Sequence, residues 1–343
     1  MSDHHSAPSR RAILAGMAAS LVSALAPSQL AAQNAARPRP RGGAPRRNDV
    51  VGELLVYSAR YEDTLMDIAR TYNLGYAELI AANPGVDPWL PGLGTRILLP
   101  TAHVLPDAPR QGVVVNLSDQ RIYWFAGGGQ PIRTFAIGIG QEGLGTPIGS
   151  TSVVRKKENP TWTPTPEKRK EDPTLPTVVP AGPDNPMGAF AMYLGWPLYA
   201  IHGTNEPDAI GRRVTRGCIR LYPEGIEELY RMVPIGTRVT VVAQEAKMGW
   251  IGDDLFVELH PTREDVDMLE EERTFHPKPI PGLRERVEKF AGVAVSRVDW
   301  PTLEAAESRR DGVPVRVTRA LAVPSAEASP GSRPREGVSH TAL

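Results

Sequence analysis

The spacing of hydrophobic residues changes along the chain and predicts three folded regions. In the first, residues 50 to 101, a short strand precedes two short helices and a closing strand at 95–99. The first helix rests on an apolar stripe with the i, i+3, i+4, i+7 spacing of an amphipathic helix: Leu65, Ile68, Ala69 and Tyr72. The second helix covers 76–82 and ends at Asn83-Pro84-Gly85. We therefore expect a small βααβ unit here.

The second region, residues 110 to 245, consists mainly of β-rich runs. Two of them, 113–117 and 121–125, are joined by Ser118-Asp119-Gln120, which is a hairpin signal. Further strands are predicted at 131–139, 150–155, 189–194, 198–202 and 237–243, with one helix at 224–232. The pattern predicts a mainly β domain.

The third region, residues 246 to 320, has a more helical pattern. A strand run at 255–259 is expected to continue the β domain, and helices are predicted at 262–273, 281–290 and 301–310 before a strand-like run at 313–317. We expect a small α+β extension that packs on the β domain. From 321 to 343, Ser, Pro, Gly and charged residues predominate, which predicts a disordered tail.

A proline-rich segment interrupts the predicted strands of the β domain. Residues 159–186 contain eight prolines around a charged cluster at 167–172. Because proline removes a backbone donor and disrupts helices and central strands, we expect a long exposed loop without a helix. Long loops on rigid scaffolds often form lids or binding walls. The segment is therefore a candidate wall of a substrate groove.

Charge is balanced over the whole chain but not at its start. Lys and Arg total 39 against 39 Asp and Glu, which disfavours a nucleic-acid-binding protein. Residues 1–47 nevertheless carry seven Arg and one acid, and Arg10-Arg11 precede an Ala-rich apolar run. This run is shorter than the roughly 20 residues that span a membrane. We expect a twin-arginine signal peptide over 1–32, a Pro/Arg-rich linker over 33–49, and a mature periplasmic protein without a transmembrane segment.

Candidate chemistry centres on Cys218, which is the single cysteine of the chain and so excludes both an internal disulfide and a CxxC zinc site. His202 lies 16 residues earlier, at the end of a predicted strand, and Gly217 permits a close backbone approach. A cysteine nucleophile needs such a base and nearby oxyanion donors. A buried structural cysteine and a structural histidine remain the alternative. Export favours catalysis, because an unpaired thiol is a liability in an oxidising compartment.

The first region resembles the LysM family. The matching residues are Glu62-Asp63-Thr64-Leu65, Ile68-Ala69, Leu79, Ala82-Asn83-Pro84, Trp89-Leu90-Pro91, Gly94-Thr95 and Ile97-Leu98-Leu99-Pro100. The resemblance implies binding of a glycan that contains N-acetylglucosamine, such as peptidoglycan. A structural module that only packs on its neighbour is the alternative.

The second region resembles the YkuD-type L,D-transpeptidases over roughly 110–245. The matching segments are His202-Gly203-Thr204-Asn205, Thr215-Arg216-Gly217-Cys218-Ile219-Arg220, Gly145-Thr146-Pro147-Ile148-Gly149, Asn185-Pro186-Met187-Gly188 and the predicted strand 113–117. Thr215 stands where Ser is common. With the LysM-like region ahead of it, the arrangement is similar to the ErfK/YbiS group. The resemblance implies a catalytic domain with a β-sandwich-like fold.

The resemblance also implies roles for individual residues, and it implies no metal or cofactor. Cys218 would be the nucleophile and His202 the general base, oriented by the carbonyl of Gly203. The amides of Arg216, Gly217 and Cys218 would form the oxyanion hole. Two further residues would support the site or contact the donor peptide: Thr215 and Arg220.

The implied reaction consists of two acyl transfers. Cys218 attacks the bond after the meso-diaminopimelate of a peptidoglycan tetrapeptide stem and releases D-Ala, and an acceptor then resolves the thioester. An amine of another stem would form a 3-3 cross-link, whereas an amine of a protein, such as an outer-membrane protein, would attach that protein to the wall. Water would make the enzyme an L,D-carboxypeptidase. A hydrolytic wall peptidase and an inactive wall-binding protein remain the competing interpretations.

Overall fold

The computed structural model describes residues 48–140, 145–215 and 217–321. The predicted signal peptide over 1–32, the linker up to residue 47 and the tail from residue 322 lie outside this part. Within it, no helix is both long enough and apolar enough to cross a membrane.

The first region forms the predicted βααβ unit. After β1 (Val50–Val51) come β2 (Leu55–Ser58), α1 (Leu65–Thr71), α2 (Tyr76–Ala82), β3 (Arg96–Leu99) and β4 (His103–Val104). β2 pairs antiparallel with β3, and the short β1 pairs with β4. Thr64 caps α1, because its side chain accepts a hydrogen bond from the Asp67 amide. The predicted helices and strands of this unit are confirmed.

Nine strands of the second region pair in a single sheet. They are β5 (Gly112–Asn116), β6 (Arg121–Phe125), β7 (Arg133–Gly140), β8 (Gly149–Glu158), β9 (Phe190–Leu194), β10 (Ala200–His202), β11 (Arg213–Thr215), β12 (Ile219–Leu221) and β13 (Arg238–Val242). Their order is β11-β7-β12-β10-β9-β8-β13-β5-β6, and β6 also pairs with β7. The expected mainly β structure is confirmed, but the strands form one continuous sheet that returns on itself rather than two separately paired sheets.

The interior of this sheet holds the largest apolar core. It contains side chains from eight of the strands, and α4 (Pro223–Met232) adds Ile226 and Leu229, which are fully buried. Burial of such side chains contributes roughly 1.5–3 kcal/mol each, so this core gives the sheet a rigid framework.

The proline-rich segment corrects one expectation. A short helix, α3 (Pro166–Glu171), forms where none was predicted. Pro166 occupies the first turn, where a missing N–H costs nothing, and Thr165 caps the helix by accepting from the Lys168 amide. The next proline is residue 173, so the rest of this short helix contains none. The clash of proline with a helix interior, which led us to expect no helix here, therefore does not arise.

The third region corrects a second expectation, namely that its strand continues the β domain. β14 (Ala246–Ile251), β15 (Asp254–Leu259) and β16 (Val315–Arg316) form a separate three-stranded sheet, so the run at 255–259 does not continue the main sheet. α5 (Arg263–Glu272), α6 (Leu283–Ala291) and α7 (Trp300–Arg309) confirm the predicted helices. β15 lies between β14 and β16 and pairs antiparallel with both, so its backbone groups are satisfied without the main sheet. This small sheet also packs on an apolar core of its own.

Buried charges join the three regions. Nζ of Lys247 on β14 lies 2.6 Å from Oδ2 of Asp119 and 2.8 Å from Oε1 of Glu258. Nη2 of Arg121 on β6 lies 2.6 Å from Oε2 of Glu78 on α2. All five side chains are at most 8% exposed. We call them the buried ionic junction.

Candidate active site

Two neighbouring strands bring the sequence-predicted cysteine and histidine to one face of the sheet. β10 and β12 are parallel, with Ile201 opposite Ile219 and His202 opposite Arg220. Both isoleucines are fully buried in the core. Because successive side chains of a strand alternate between faces, His202, Arg220 and Cys218 lie on the opposite, outer face. We call this the active-site face.

The surroundings of His202 determine which ring nitrogen carries a hydrogen and keep the imidazole neutral. Its Nδ1 lies 2.6 Å from the carbonyl oxygen of Gly203. This oxygen can only accept, so Nδ1 carries the hydrogen and Nε2 keeps its lone pair. Burial, and after it the positive charge of Arg220, lowers the pKa of His202 to about 4. Hydrogen bonds to the backbone of Gly203 and Met187 act in the opposite direction but are outweighed. The imidazole is therefore neutral at pH 7 and able to accept a proton.

Cys218 is half-buried at the edge of the same face. Its Sγ lies 3.5 Å from the carbonyl oxygen of Leu198. Burial raises the pKa of the thiol, although the backbone at Ala200 and the charge of Arg220 partly offset this effect. The resting cysteine is thus a protonated thiol, and a nucleophilic thiolate requires a base such as His202.

The backbone before Cys218 follows a path that requires glycine. Gly217 has φ +97°, a conformation that other residues rarely adopt. Its carbonyl accepts a hydrogen bond of 2.8 Å from Oγ1 of Thr146. The contact holds the turn in front of Cys218, where sequence analysis expected oxyanion donors. The side chain of Thr215 and all of Arg216 lie outside the described part.

Gly203 is suited to its position because neighbouring atoms leave little room for a side chain. A Cβ on this residue would lie 3.1 Å from the Ile226 side chain and 3.3 Å from the Met187 carbonyl oxygen. The close packing holds the carbonyl that orients His202.

Arg220 is a neighbour of His202 and not an isolated surface charge. Its side chain is 16% exposed, and its Nη1 lies 3.1 Å from Oε2 of Glu206. Glu206 in turn donates its amide to Oγ1 of Thr204 at 2.9 Å. The sequence did not predict Glu206 as a partner of Arg220 or the contact of Thr146 with Gly217, because neither follows from local spacing. The only signal for Thr146 was its place in a motif that matches the L,D-transpeptidases.

The proline-rich segment reaches the site through its two ends. Asn185 is buried, and its side-chain amide donates to the carbonyls of Pro160 at 2.8 Å and Pro180 at 3.0 Å. Trp162 pairs with Val179 and packs in the same apolar cluster as Cys218. The base of the segment therefore borders the active-site face, and its role as a wall of the groove stays a prediction.

In the part of the chain that the structure describes, one group of residues has metal-ligand composition, but two of its three members belong to the buried ionic junction. Ligand atoms of Asp119, Glu258 and His260 lie within 4.8 Å of one another. The ammonium of Lys247 already contacts both carboxylates at 2.6 and 2.8 Å. A protein cation thus occupies the position between them, and the group does not fit a metal site.

Comparison with known proteins matches this region of the chain. The family model described as the YkuD L,D-transpeptidase catalytic domain matches residues 110–241. "Probable L,D-transpeptidase ErfK/SrfK" of Escherichia coli K12 is 40% identical over 284 residues, covering 80% of this chain and 89% of that protein. "Probable L,D-transpeptidase YbiS" of the same strain is 41% identical over 255 residues, covering 73% and 81%. "Probable L,D-transpeptidase YcfS" is 38% identical over 267 residues, covering 75% and 81%.

Proposed function

The chain belongs to the YkuD family of L,D-transpeptidases, and we propose that it transfers peptidoglycan stem peptides through an acyl-enzyme on Cys218. The observation that supports this most directly is the pairing of β10 with β12, which places His202 and Cys218 on one face. A neutral imidazole and a protonated thiol on the same face are the resting state that a base-activated nucleophile needs.

In the proposed first step, Nε2 of His202 accepts the thiol proton and Sγ of Cys218 attacks the carbonyl of the diaminopimelate residue. The backbone amides of Gly217 and Cys218, with that of Arg216, stabilise the oxyanion. The C–N bond then breaks, D-Ala leaves with the proton from His202, and a thioester remains. Arg220 and Thr215 support the site or contact the donor.

In the second step, an amine attacks the thioester, His202 takes up the amine proton, and the thiol is regenerated. The amine belongs to another stem peptide, which yields a 3-3 cross-link, or to a protein that becomes attached to the wall. Hydrolysis of the same thioester by water is the competing outcome. Mass analysis of peptidoglycan fragments after incubation with the protein distinguishes the three products.

A carbapenem tests the nucleophile directly, because it acylates without needing an acceptor. One adduct is expected by intact-protein mass spectrometry on the wild type and none on Cys218→Ala. Since the chain contains a single cysteine, any adduct on the variant would contradict the assignment.

We also propose that the βααβ unit binds the glycan strand. Two of its loops expose large apolar side chains: Tyr61 at 77%, Trp89 at 55%, Leu90 at 66% and Leu93 at 76%. The loops are held together, since the Leu65 amide donates to the Pro88 carbonyl at 2.8 Å. Exposed large apolar residues are candidates for an interaction surface, and the apolar face and polar edge of an aromatic ring suit a sugar.

Sedimentation with insoluble peptidoglycan tests this second role. We expect a Tyr61→Ala, Trp89→Ala double variant to remain in the supernatant more than the wild type, while carbapenem acylation of Cys218 is unchanged. Val293→Ala is the matched control, because Val293 is fully exposed in the third region. Equal sedimentation of the wild type and the double variant would reject glycan binding by these loops.

Peptidoglycan as substrate requires export, and we propose that residues 1–32 direct it by the twin-arginine route. Replacing Arg10 and Arg11 with Lys should retain the full-length precursor in the cytoplasmic fraction. Normal processing of this variant would reject the route but not the activity.

A further inference from the structure

Strand register places a cation in line with the proposed nucleophile. Ala200 pairs with Tyr193, and Tyr193 pairs with Arg155 of β8. Cys218 immediately precedes Ile219, the partner of Ile201, so Cys218 lies opposite Ala200. These four residues therefore form one row that runs from the residue immediately before β12 across β10 and β9 to β8.

The guanidinium of Arg155 is held above this row. Its Cζ lies 3.7 Å from the centre of the Tyr193 ring, so the side chain leans over β9 and towards Cys218. Strands are about 4.8 Å apart, which places the cation about 10 Å from the Cys218 strand. Stacking on an aromatic ring fixes the planar group while its N–H edges stay available to a carboxylate.

Three arginines of the described residues stack on aromatic rings, and two of them, Arg212 and Arg284, also pair with an acidic side chain, whereas Arg155 does not. Among the residues that the structure describes, none brings a carboxylate within 4.0 Å of it, and its side chain is exposed. Arg284 makes the instructive contrast: it stacks on Trp300 at 4.0 Å but also pairs with Glu288 at 3.3 Å. An oriented cation without a counter-ion beside a proposed peptide site is suited to bind an anionic group of the substrate.

We propose that Arg155 binds a free carboxylate of the donor stem peptide, namely the α-carboxylate of the γ-linked glutamate that precedes the attacked residue. The inference rests on the proposed function, because that function supplies the peptide. An extended peptide advances about 3.4 Å per residue, so a side group a short distance upstream of the attacked carbonyl reaches the cation along the row. Arg155 thus selects and aligns the donor without taking part in the chemistry.

Binding to the full-length Cys218→Ala protein tests the proposal without turnover. The two probes are the tetrapeptide L-Ala-γ-D-Glu-meso-diaminopimelyl-D-Ala and the same peptide with the glutamate α-carboxylate converted to an amide. By isothermal titration, we expect the free acid to bind about 10-fold more tightly than the amide, which corresponds to one charge-assisted contact. Adding Arg155→Gln should bring the ratio of the two Kd values close to one.

Two further variants separate a specific contact from a general charge effect. Tyr193→Phe keeps the aromatic ring and should preserve the preference for the acid. Arg284→Gln also removes a stacked arginine, but in the third region, and should leave the ratio of Kd values unchanged.

Equal binding of both peptides to the Cys218→Ala protein, or binding of neither, would overturn the carboxylate contact. The proposed function fails in a different way. If the preference is present and depends on Arg155, but the protein with Cys218 intact does not release D-Ala from the peptide, then transpeptidation is rejected and the carboxylate site stands.

Discussion

The buried ionic junction and the active-site face both bury ionisable groups, yet leave them in opposite states. At the junction, burial alone would lower the pKa of Lys247, but Asp119 and Glu258 raise it. Burial alone would raise the pKa of Glu258, but Lys247 and its two histidine neighbours hold it well below its usual value. At the active-site face, burial lowers the pKa of His202 to about 4 and raises that of the Cys218 thiol.

The difference shows that the neighbours of a buried group determine whether the group is charged or neutral. Charges at the junction are paired within hydrogen-bond distance, so they stay ionised and hold three regions together. His202 has a carbonyl and a cation as neighbours rather than a carboxylate, so its neutral form is favoured. The first arrangement serves stability, and the second leaves a proton free to move.

Removing a charge from the junction should produce the largest effect on stability. Lys247→Met leaves Asp119 and Glu258 buried without their shared cation, and we expect it to lower the free energy of unfolding by about 3–5 kcal/mol. Urea denaturation measures this change, and Lys289→Met on the exposed side of α6 is the control. A loss below about 1 kcal/mol, the range of surface ion pairs, would show that the junction is not a stabilising network.

Removing the base should mainly affect chemistry. We expect His202→Ala to slow carbapenem acylation of Cys218 by about 10²-fold or more, which is about 2.7 kcal/mol in the barrier. Stopped-flow or timed mass spectrometry gives the rate, and His276→Ala changes an exposed histidine as a control. Acylation of the His202 variant at the wild-type rate would make His202 structural.

Acidification should weaken the fold through the histidine of the active-site face. The unfolded chain protonates near pH 6.5, whereas folded His202 stays neutral down to about pH 4, so protons favour the unfolded state between these values. Stability should therefore fall as pH drops from about 6.5 towards 4, by up to about 1.4 kcal/mol per pH unit from this group.

Burial also lowers the pKa of His103, which adds to this slope in the same direction. Urea midpoints at pH 7, 6 and 5 measure the total, and His202→Gln should make the dependence shallower. An identical pH dependence in both proteins would contradict the depressed pKa of His202.

The smallest effect should come from the turn before Cys218. Thr146→Val keeps the shape of the side chain but removes the hydrogen bond to the Gly217 carbonyl, which should cost about 1 kcal/mol of stability and slow acylation a few-fold. Thr146→Ser retains the hydroxyl and should behave more like the wild type. If the serine and valine variants lose the same rate, the hydrogen bond is not what positions the turn.

Much of the local structure could be predicted from the sequence. The stripe that begins at Leu65 and the alternation around Val113 each repeat within a few residues, so their helix and strand follow from neighbours in the chain. Cys218 and His202 could likewise be singled out, because their residue types and motif are local. The helix at 166–171 was missed because the proline count outweighed the position of Pro166 at its first turn.

Only the tertiary structure decided which of these local pieces meet. The pairing of β10 with β12 sets His202 opposite Arg220, and the pairing of β8 with β9 brings Arg155 onto Tyr193. The junction joins Arg121 to Glu78 and Lys247 to Asp119, which are far apart in the chain, and strand 254–259 joined a sheet of its own. Hydrophobic periodicity specifies which face of a strand is buried, but many pairings bury the same face. The choice among them depends on packing and charge compensation between residues far apart in sequence, which no local pattern records.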